Sequence, residues 1–123
     1  MIVQNQDQNS SLGCAIAVAG TSSSRAKGLL GRDSLAAGEG LLFKNCASLH
    51  TFFMRFPIDI IFADKNGRVL KFAKAVGPFR FVAAPLRAQY ALELPVGAIT
   101  DSSTRVGDHL LFVEEEMALP IAG

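Results

Sequence analysis

The stretch IDIIFADKNGRVLKFAKAV (residues 58–76) decides the fold, because it contains two β-like runs joined by a turn. The first run, residues 58–62, is rich in Ile and Phe, which favour strands. Asn66-Gly67 is the dipeptide typical of a type I′ hairpin turn, in which both central residues have positive φ angles. Residues 68–76 then return as a second strand. We therefore predict a β-hairpin closed by a type I′ turn.

Other short β-like runs lie on both sides of this hairpin, and turn residues separate them. Pro57 cannot donate to a strand ladder, so a run that begins at His50 ends or bends there. One helix is predicted from Thr21 or Ser22 to about Leu30, since either hydroxyl can cap its first turn. A short helix or turn is predicted over residues 98–104. The further strands are predicted over residues 12–19, 41–43, 50–56, 89–94 and 109–113.

Six or seven short strands on about 120 residues indicate a mainly β fold, with α+β as the alternative class. Such strands protect their edges when they close on one another. We therefore predict a small closed or partly closed antiparallel β-barrel with one or two short helices. Residues 1–11 are polar and are predicted to be a flexible tail, and residues 12–123 are predicted to form a single globular domain.

The overall charge excludes some classes of partner. The chain has 12 basic and 11 acidic residues, a net charge of +1, so we expect no nucleic-acid partner. No apolar run approaches the ~20 residues of a membrane span, and we expect no membrane partner. The first eleven residues lack the basic start and apolar centre of a secretory signal. We expect a cytoplasmic protein, although an exported chain that had lost its signal would have the same composition.

Cys46 and His50 have the spacing Cys-x-x-x-His, and both residue types are good zinc ligands. Two ligands do not make a zinc site, and the other histidine, His109, is far along the chain. We therefore predict no metal site and no cofactor. With Cys14, the chain has two cysteines, which we expect to be free and mostly buried thiols in a reducing compartment.

The same two residues suggest a catalytic alternative, in which Cys46 is a nucleophile and His50 its base. Such a pair needs a third group that orients the imidazole. Asp59 would supply that group if the chain bent back at Pro57. The catalytic candidates are therefore Cys46, His50 and Asp59.

Arg55 is unusual because it lies in an apolar stretch, between Met54 and Phe56. A buried charge needs a partner, so Arg55 either pairs with Asp59 or points into a pocket and waits for an anionic group. Glu93 alternates with Leu on a predicted strand and is expected to face solvent. The predicted polar contacts for a small-molecule ligand are Arg55, His50, Asp59, Arg32 and Glu39.

The segment GEGLLFKNCASLHTFFMRFPIDIIFADKNGRVL (residues 38–70) closely resembles a bacterial and archaeal family known as domain of unknown function 192. Its central signature resembles the stretch from Cys46 to Asp59. The likeness extends to AKGLLGRDSL (26–35) and YALELPVG (90–97), and covers about residues 12–113. Leu30 stands where Met is common in the family. Many relatives carry Trp-Met-Lys-Asn-Thr in the central stretch, so no role of that Trp or Asn is carried over.

The resemblance implies a compact, largely β fold with short helices, and it implies no established activity. Three functions therefore stay open from the sequence. The first is binding of a small polar or anionic ligand around the HTFFMRFPID segment (50–59). The second is a hydrolase or transferase that uses Cys46 and His50. The third is a structural or protein-interaction module without a small-molecule site, for which a large exposed apolar patch would be evidence.

Overall fold

The computed structural model describes residues 1–19, 34–45, 48–50 and 55–114, with side chains described outside residues 48–50. These residues form ten strands and one short helix. The strands are β1 (Ile2–Asn5), β2 (Ser10–Gly13), β3 (Ala15–Ala19), β4 (Glu39–Lys44), β5 (Ser48–His50), β6 (Ile58–Ala63), β7 (Val69–Val76), β8 (Phe81–Ala83), β9 (Tyr90–Pro95) and β10 (Leu110–Val113), and the helix is α1 (Ala98–Asp101).

Five strands form a central sheet in the order β3-β4-β9-β6-β7. Strands β3 and β4 are parallel, and the other three pairs are antiparallel. All six residues of β6 are buried, and so are the four middle residues of β9. Strands buried on both faces are near-continuous apolar runs, which is why the sequence IDIIFA lacks alternation.

Two smaller sheets accompany the central one. Strands β10, β1 and β2 form an antiparallel three-stranded sheet, and β5 and β8 form an antiparallel pair. Val3 of β1 and Leu110 of β10 pack with Leu92 of the central sheet. Val82 of β8 packs with Phe56 and other residues on the opposite face. The central sheet is therefore covered on both faces by short strands.

Two apolar clusters form the core, one on each face of the central sheet. Cluster 1, on the face that β8 covers, contains Ala19, Leu41, Phe43, Phe56, Ile58, Ile60, Phe62 and Ala91. Cluster 2, on the face that the three-stranded sheet covers, contains Val3, Leu12, Ile16, Leu42, Ile61, Val69, Leu92, Leu94, Ile99 and Leu110.

The predicted hairpin is confirmed, but its turn type differs. Strands β6 and β7 pair in an antiparallel ladder from Ile58–Val76 to Ala63–Val69. Gly67 has φ +84°, whereas Asn66 has no positive φ, so the turn is not type I′. The carboxylate of Asp64 accepts hydrogen bonds from the amides of Asn66 and Arg68 (2.9 and 3.0 Å), and its carbonyl accepts one from Gly67. This side chain favours a turn that begins one residue earlier.

The mainly β class is confirmed, but the predicted barrel is not what these strands form. The described strands make three separate sheets, and β3 and β7 end the largest of them. Turn residues in a sequence indicate how many strands there are, but they do not show which strand edges pair with each other. Here the two faces of the central sheet are covered by other sheets, so its burial does not require closure.

Two further predictions are corrected near the amino terminus. The expected flexible tail over residues 1–11 instead contains β1 and the first two residues of β2, and Val3 and Asn5 of β1 are buried. The single strand predicted over residues 12–19 is two strands that separate at Cys14. The short helix predicted over residues 98–104 is confirmed as α1. The helix predicted from Thr21 or Ser22 lies outside the described residues.

Candidate functional site

Asp59 is the signature residue whose surroundings are described most fully. Its side chain is 1% exposed. One carboxylate oxygen accepts a hydrogen bond from the amide of Ala75 (2.8 Å), and the other accepts from the amides of Gly97 (3.2 Å) and Ile99 (3.1 Å). All three described partners are therefore backbone donors.

These donors are amides that the local backbone leaves unpaired. The β6–β7 register shifts between Ile58 and Ile60, and Ala75 in the opposing bulge has φ +51°. Gly97 is the N-cap of α1 and has no side chain with which to cap it. A carboxylate is a good acceptor for the free amides of a first helical turn. Asp59 thus joins the β7 bulge to the start of α1.

This placement weighs against the proposed catalytic grouping. Asp59 alternates with Ile58 and Ile60 of cluster 1, and its partner Ile99 belongs to cluster 2. Its carboxylate therefore faces the three-stranded sheet. The layer formed by β5 and β8 lies on the other face. Cys46 and the side chain of His50 lie outside the described residues, so their pairing stays a prediction.

The other predicted ligand contacts have separate positions. Glu39 begins β4, and its carboxylate accepts a hydrogen bond from the amide of Ala36 (2.8 Å), while its own amide donates to the Ala36 carbonyl (3.0 Å). Glu39 therefore stabilises a tight turn. Arg55 is exposed just before the buried Phe56. Arg32 lies outside the described residues. The suggested pairing of Arg55 with Asp59 is not among the described contacts of Asp59.

Glu93 differs from its prediction, because it is 5% exposed and not in solvent. Alternation predicts an outward residue only when one face of a strand is free. Strand β9 lies between β4 and β6, and Glu93 is opposite Leu41 on one side and Ile60 on the other. Both neighbours belong to cluster 1, so Glu93 is a buried carboxylate on that face.

A group of cations lies on one part of the chain. Residues 65–92, which we call the basic segment, contain no Asp or Glu. Every one of its basic residues is exposed. They are Lys65, Arg68, Lys71, Lys74, Arg80 and Arg87. This asymmetry is visible in the sequence, but the net charge of +1 for the whole chain hides it.

Large apolar side chains are exposed within the same segment. Phe79, Phe81 and Leu86, which we call the apolar strip, have exposed fractions of 72%, 65% and 105%. They lie on β8 and the turns that flank it. The β5–β8 register places His50 opposite Phe81. The strip is not predictable from the sequence because residues 79–88 have irregular patterning.

A groove of about 260 Å³ lies elsewhere, beside the turn between β2 and β3. Cys14 lines it with an exposed free thiol, which confirms the free state but not the expected burial. The described lining contains none of the predicted ligand contacts. Its residues are Ser11, Leu12, Gly13, Cys14, Ala37, Gly38, Pro95, Val96, Ala98 and Asp101.

Two classes of feature are absent from the described part of the chain. Over residues 1–19, 34–45, 48–50 and 55–114, no three His, Cys, Asp or Glu residues are grouped as metal ligands. Within the same ranges, no helix has both the length and the apolar character of a membrane span.

Similar proteins place this geometry in a family. A UPF0127 protein from Thermococcus sibiricus is 41% identical over 71 residues, which are 57% of this chain and 46% of the relative. A UPF0127 protein from Thermococcus kodakarensis is 37% identical over 78 residues, 61% of this chain and 49% of the relative. The chain thus spans about half the length of these curated relatives.

Solved structures share the fold. A crystal structure of a protein of unknown function from Novosphingobium aromaticivorans has a TM-score of 0.75 and 24% identity, and the match covers 90% of this chain and 82% of that one. The model of the family DUF192, described as an uncharacterized ACR, matches residues 2–112. This range includes β1, which the resemblance in the sequence had left out. The chain therefore belongs to the DUF192 family, whose function is not known.

Proposed function

We propose that this domain is a binding module that takes a small polar or anionic ligand near the HTFFMRFPID segment (50–59). The observation that carries the proposal is the basic segment, with six exposed cations and no acidic residue between positions 65 and 92. A concentration of exposed cations creates a positive potential that attracts anions over several ångströms.

The connections of the strands place the HTFFMRFPID segment and part of the basic segment at the same end of the central sheet. Ile58, the first residue of β6, pairs with Val76, the last residue of β7. Arg55 therefore precedes the hairpin at the same end of the sheet from which the chain continues to Arg80. Both side chains are exposed. A guanidinium group suits an anion because its planar donors match the oxygens of carboxylate and phosphate.

The structural roles of the two carboxylates also favour an anionic ligand. Asp59 accepts hydrogen bonds from three backbone amides, and Glu39 accepts one within its own turn. Neither is needed as a ligand contact. The remaining members of the predicted set are the arginines at 32 and 55 and His50, which carry positive charge or can gain it.

The test is thermal unfolding of the purified domain with inorganic phosphate, citrate or sodium chloride at matched ionic strength. A ligand that binds only the folded state at a hundred times its Kd adds about 2.7 kcal/mol to the free energy of unfolding. We expect phosphate or citrate to raise the Tm above the chloride value.

The effect should depend on the proposed location. We expect Arg55→Gln to reduce the anion-dependent rise in Tm, and Arg105→Gln to leave it intact. Arg105 is a suitable control because it is an exposed arginine outside both the basic segment and the HTFFMRFPID segment. Equal Tm values in all three salts, or an equal response of both variants, would contradict the proposal.

A further inference from the structure

The apolar strip is the feature that ligand binding by cations does not explain. Phe79, Phe81 and Leu86 project with 65–105% of their surface exposed, on a segment of the chain that also carries Arg80 and Arg87. Single exposed apolar residues are common on protein surfaces. Three within eight residues concentrate exposed apolar surface on one short stretch of the chain, and concentrated exposed apolar surface marks interaction sites.

The strip is held in place by the core beneath it. Val82 and Ala84 alternate with the exposed Phe81 and Ala83 and pack against cluster 1. The ammonium group of Lys71 on β7 donates a hydrogen bond to the carbonyl of Ala83 (2.8 Å). Because these contacts order the backbone before any partner arrives, binding requires less loss of conformational entropy.

The size of the strip fits a short segment better than a folded surface. Seven residue steps separate Phe79 from Leu86, which is at most about 24 Å along the chain. A large aromatic side chain buries ~150–250 Å². Two such rings and one leucine provide a few hundred Å², whereas two folded proteins bury ~800 Å² each in a standard interface.

Strand β8 also favours a peptide over a lipid surface. Among the described strands it pairs only with β5, and none of them lies along its other edge. An extended peptide can pair with the polar groups of such an edge. The hydrocarbon of a bilayer cannot satisfy them, and would leave them unpaired.

We infer that the apolar strip docks an extended segment of a partner protein in which Asp or Glu alternates with large apolar residues. This inference rests on the proposed function, because the same basic segment supplies the charge that attracts the acidic residues. The apolar side chains of the partner would cover Phe79, Phe81 and Leu86. Its carboxylates would lie near Arg87, which follows Leu86, and near Lys71, whose ammonium group contacts β8; both are exposed within the basic segment.

The experiment uses a fluorescein-labelled peptide of sequence DFDLDFDLD and measures its anisotropy with increasing protein. We expect saturable binding that weakens as salt rises, since exposed charges are screened. Phe81→Ser and Leu86→Ser should each weaken binding about tenfold or more, as central apolar contacts do. Val106→Ser is the matched control, because Val106 is 61% exposed outside the strip, and it should bind like the wild type.

Separate variants test whether the charges of the basic segment contribute to peptide binding. We expect Arg87→Glu to weaken binding more at low salt than at high salt, and Arg105→Glu to have less effect. A peptide with Lys in place of every Asp should not bind detectably. Circular dichroism of each variant establishes that it is folded, and two strip variants are used so that one misfolded protein does not decide the result.

Four results would overturn the inference. The first is equal peptide affinity for the strip variants and for Val106→Ser. The second is binding of phosphatidylserine vesicles or single-stranded DNA through the strip while the peptide fails to bind. The third is a phosphate- or citrate-dependent rise in Tm without any peptide binding, which would leave the proposed function standing. Failure of both the anions and the peptide would remove both proposals.

Discussion

Asp59 and Glu93 are buried carboxylates on neighbouring strands that face opposite sides of one sheet. Glu93 is opposite Ile60 in the β6–β9 register, and Asp59 is opposite Leu94. Ile60 belongs to cluster 1 and Leu94 to cluster 2. The family signature therefore contributes a carboxylate that stabilises the fold on the face away from β8, and the two acidic residues cannot act on one ligand.

Replacement of Asp59 by Ala should destabilise the domain strongly. The amides of Ala75, Gly97 and Ile99 would lose their acceptor, and each buried unpaired amide costs about 1–3 kcal/mol. We expect a loss of about 3 kcal/mol or more in the free energy of unfolding, measured by urea denaturation. Asp101→Ala is the control, because Asp101 is exposed on α1. Similar losses in both variants would show that Asp59 has no special structural role.

Gly67→Ala should be costly, whereas Gly77→Ala should not be. Gly67 has φ +84°, and a Cβ there would lie 2.5 Å from the carbonyl oxygen of Leu110. A Cβ on Gly77 would meet nothing within 4 Å. We expect Gly67→Ala to lower the free energy of unfolding by about 1–3 kcal/mol through backbone strain. Gly77→Ala should change it by less than about 1 kcal/mol, or raise it, because it restricts the unfolded chain. A Tm for Gly67→Ala at or above that of Gly77→Ala would contradict this explanation.

The hairpin could be predicted from the sequence because its signals are local. Strand propensity, Pro57 and the DKNG turn all lie within one stretch of the chain, from residue 57 to residue 76. The role of Asp59 could not be predicted in this way. Its partners are 16 to 40 residues away, so only the assembled sheet brings their amides to its carboxylate.

The burial of Glu93 and the charge of the basic segment show two other limits of prediction from the sequence. Alternation on β9 is a local pattern, but burial depends on which strands lie on either side of β9 and on what covers the sheet. The basic segment was visible in the sequence. A net charge averaged over 123 residues concealed it, and a count over a shorter window would have found it.

Two phenylalanines of the same chain should respond differently to truncation. Phe62 is fully buried in cluster 1, whereas Phe79 is 72% exposed. Phe62→Ala removes a buried ring and leaves a cavity, so we expect a loss of about 3–5 kcal/mol in the free energy of unfolding. Phe79→Ala should change it by about 0.5 kcal/mol or less, as surface substitutions do. Chemical denaturation of both variants measures the difference, and a large loss for Phe79→Ala would mean that the strip is part of the core.

The last prediction concerns acid, and it depends on Asp108. Burial by itself would raise the pKa of this carboxyl. The pKa is nevertheless below its ordinary value of 3.8, because the carboxylate accepts hydrogen bonds from the side chains of Asn5 and Gln8 and from the backbone amide of Arg105. The positive charge of Arg105 lowers it further. A group with a lowered pKa in the folded state stabilises the fold when it is ionised. That contribution is complete well above pH 3.8 and is lost as pH falls through and below this value.

The side chain of Asn5 on β1 donates hydrogen bonds to Asp108 and to Thr104 (both 3.0 Å). Asp108 therefore helps to connect β1 to the loop before β10. Asp108→Asn removes the charge at every pH. We therefore expect the variant to be less stable than the wild type at pH 7, and the difference to shrink between about pH 5 and pH 3. Urea denaturation of both proteins at pH 7, 5, 4 and 3 measures it. A difference that stays constant over this range would mean that Asp108 stabilises the fold through hydrogen-bond geometry and not through its charge.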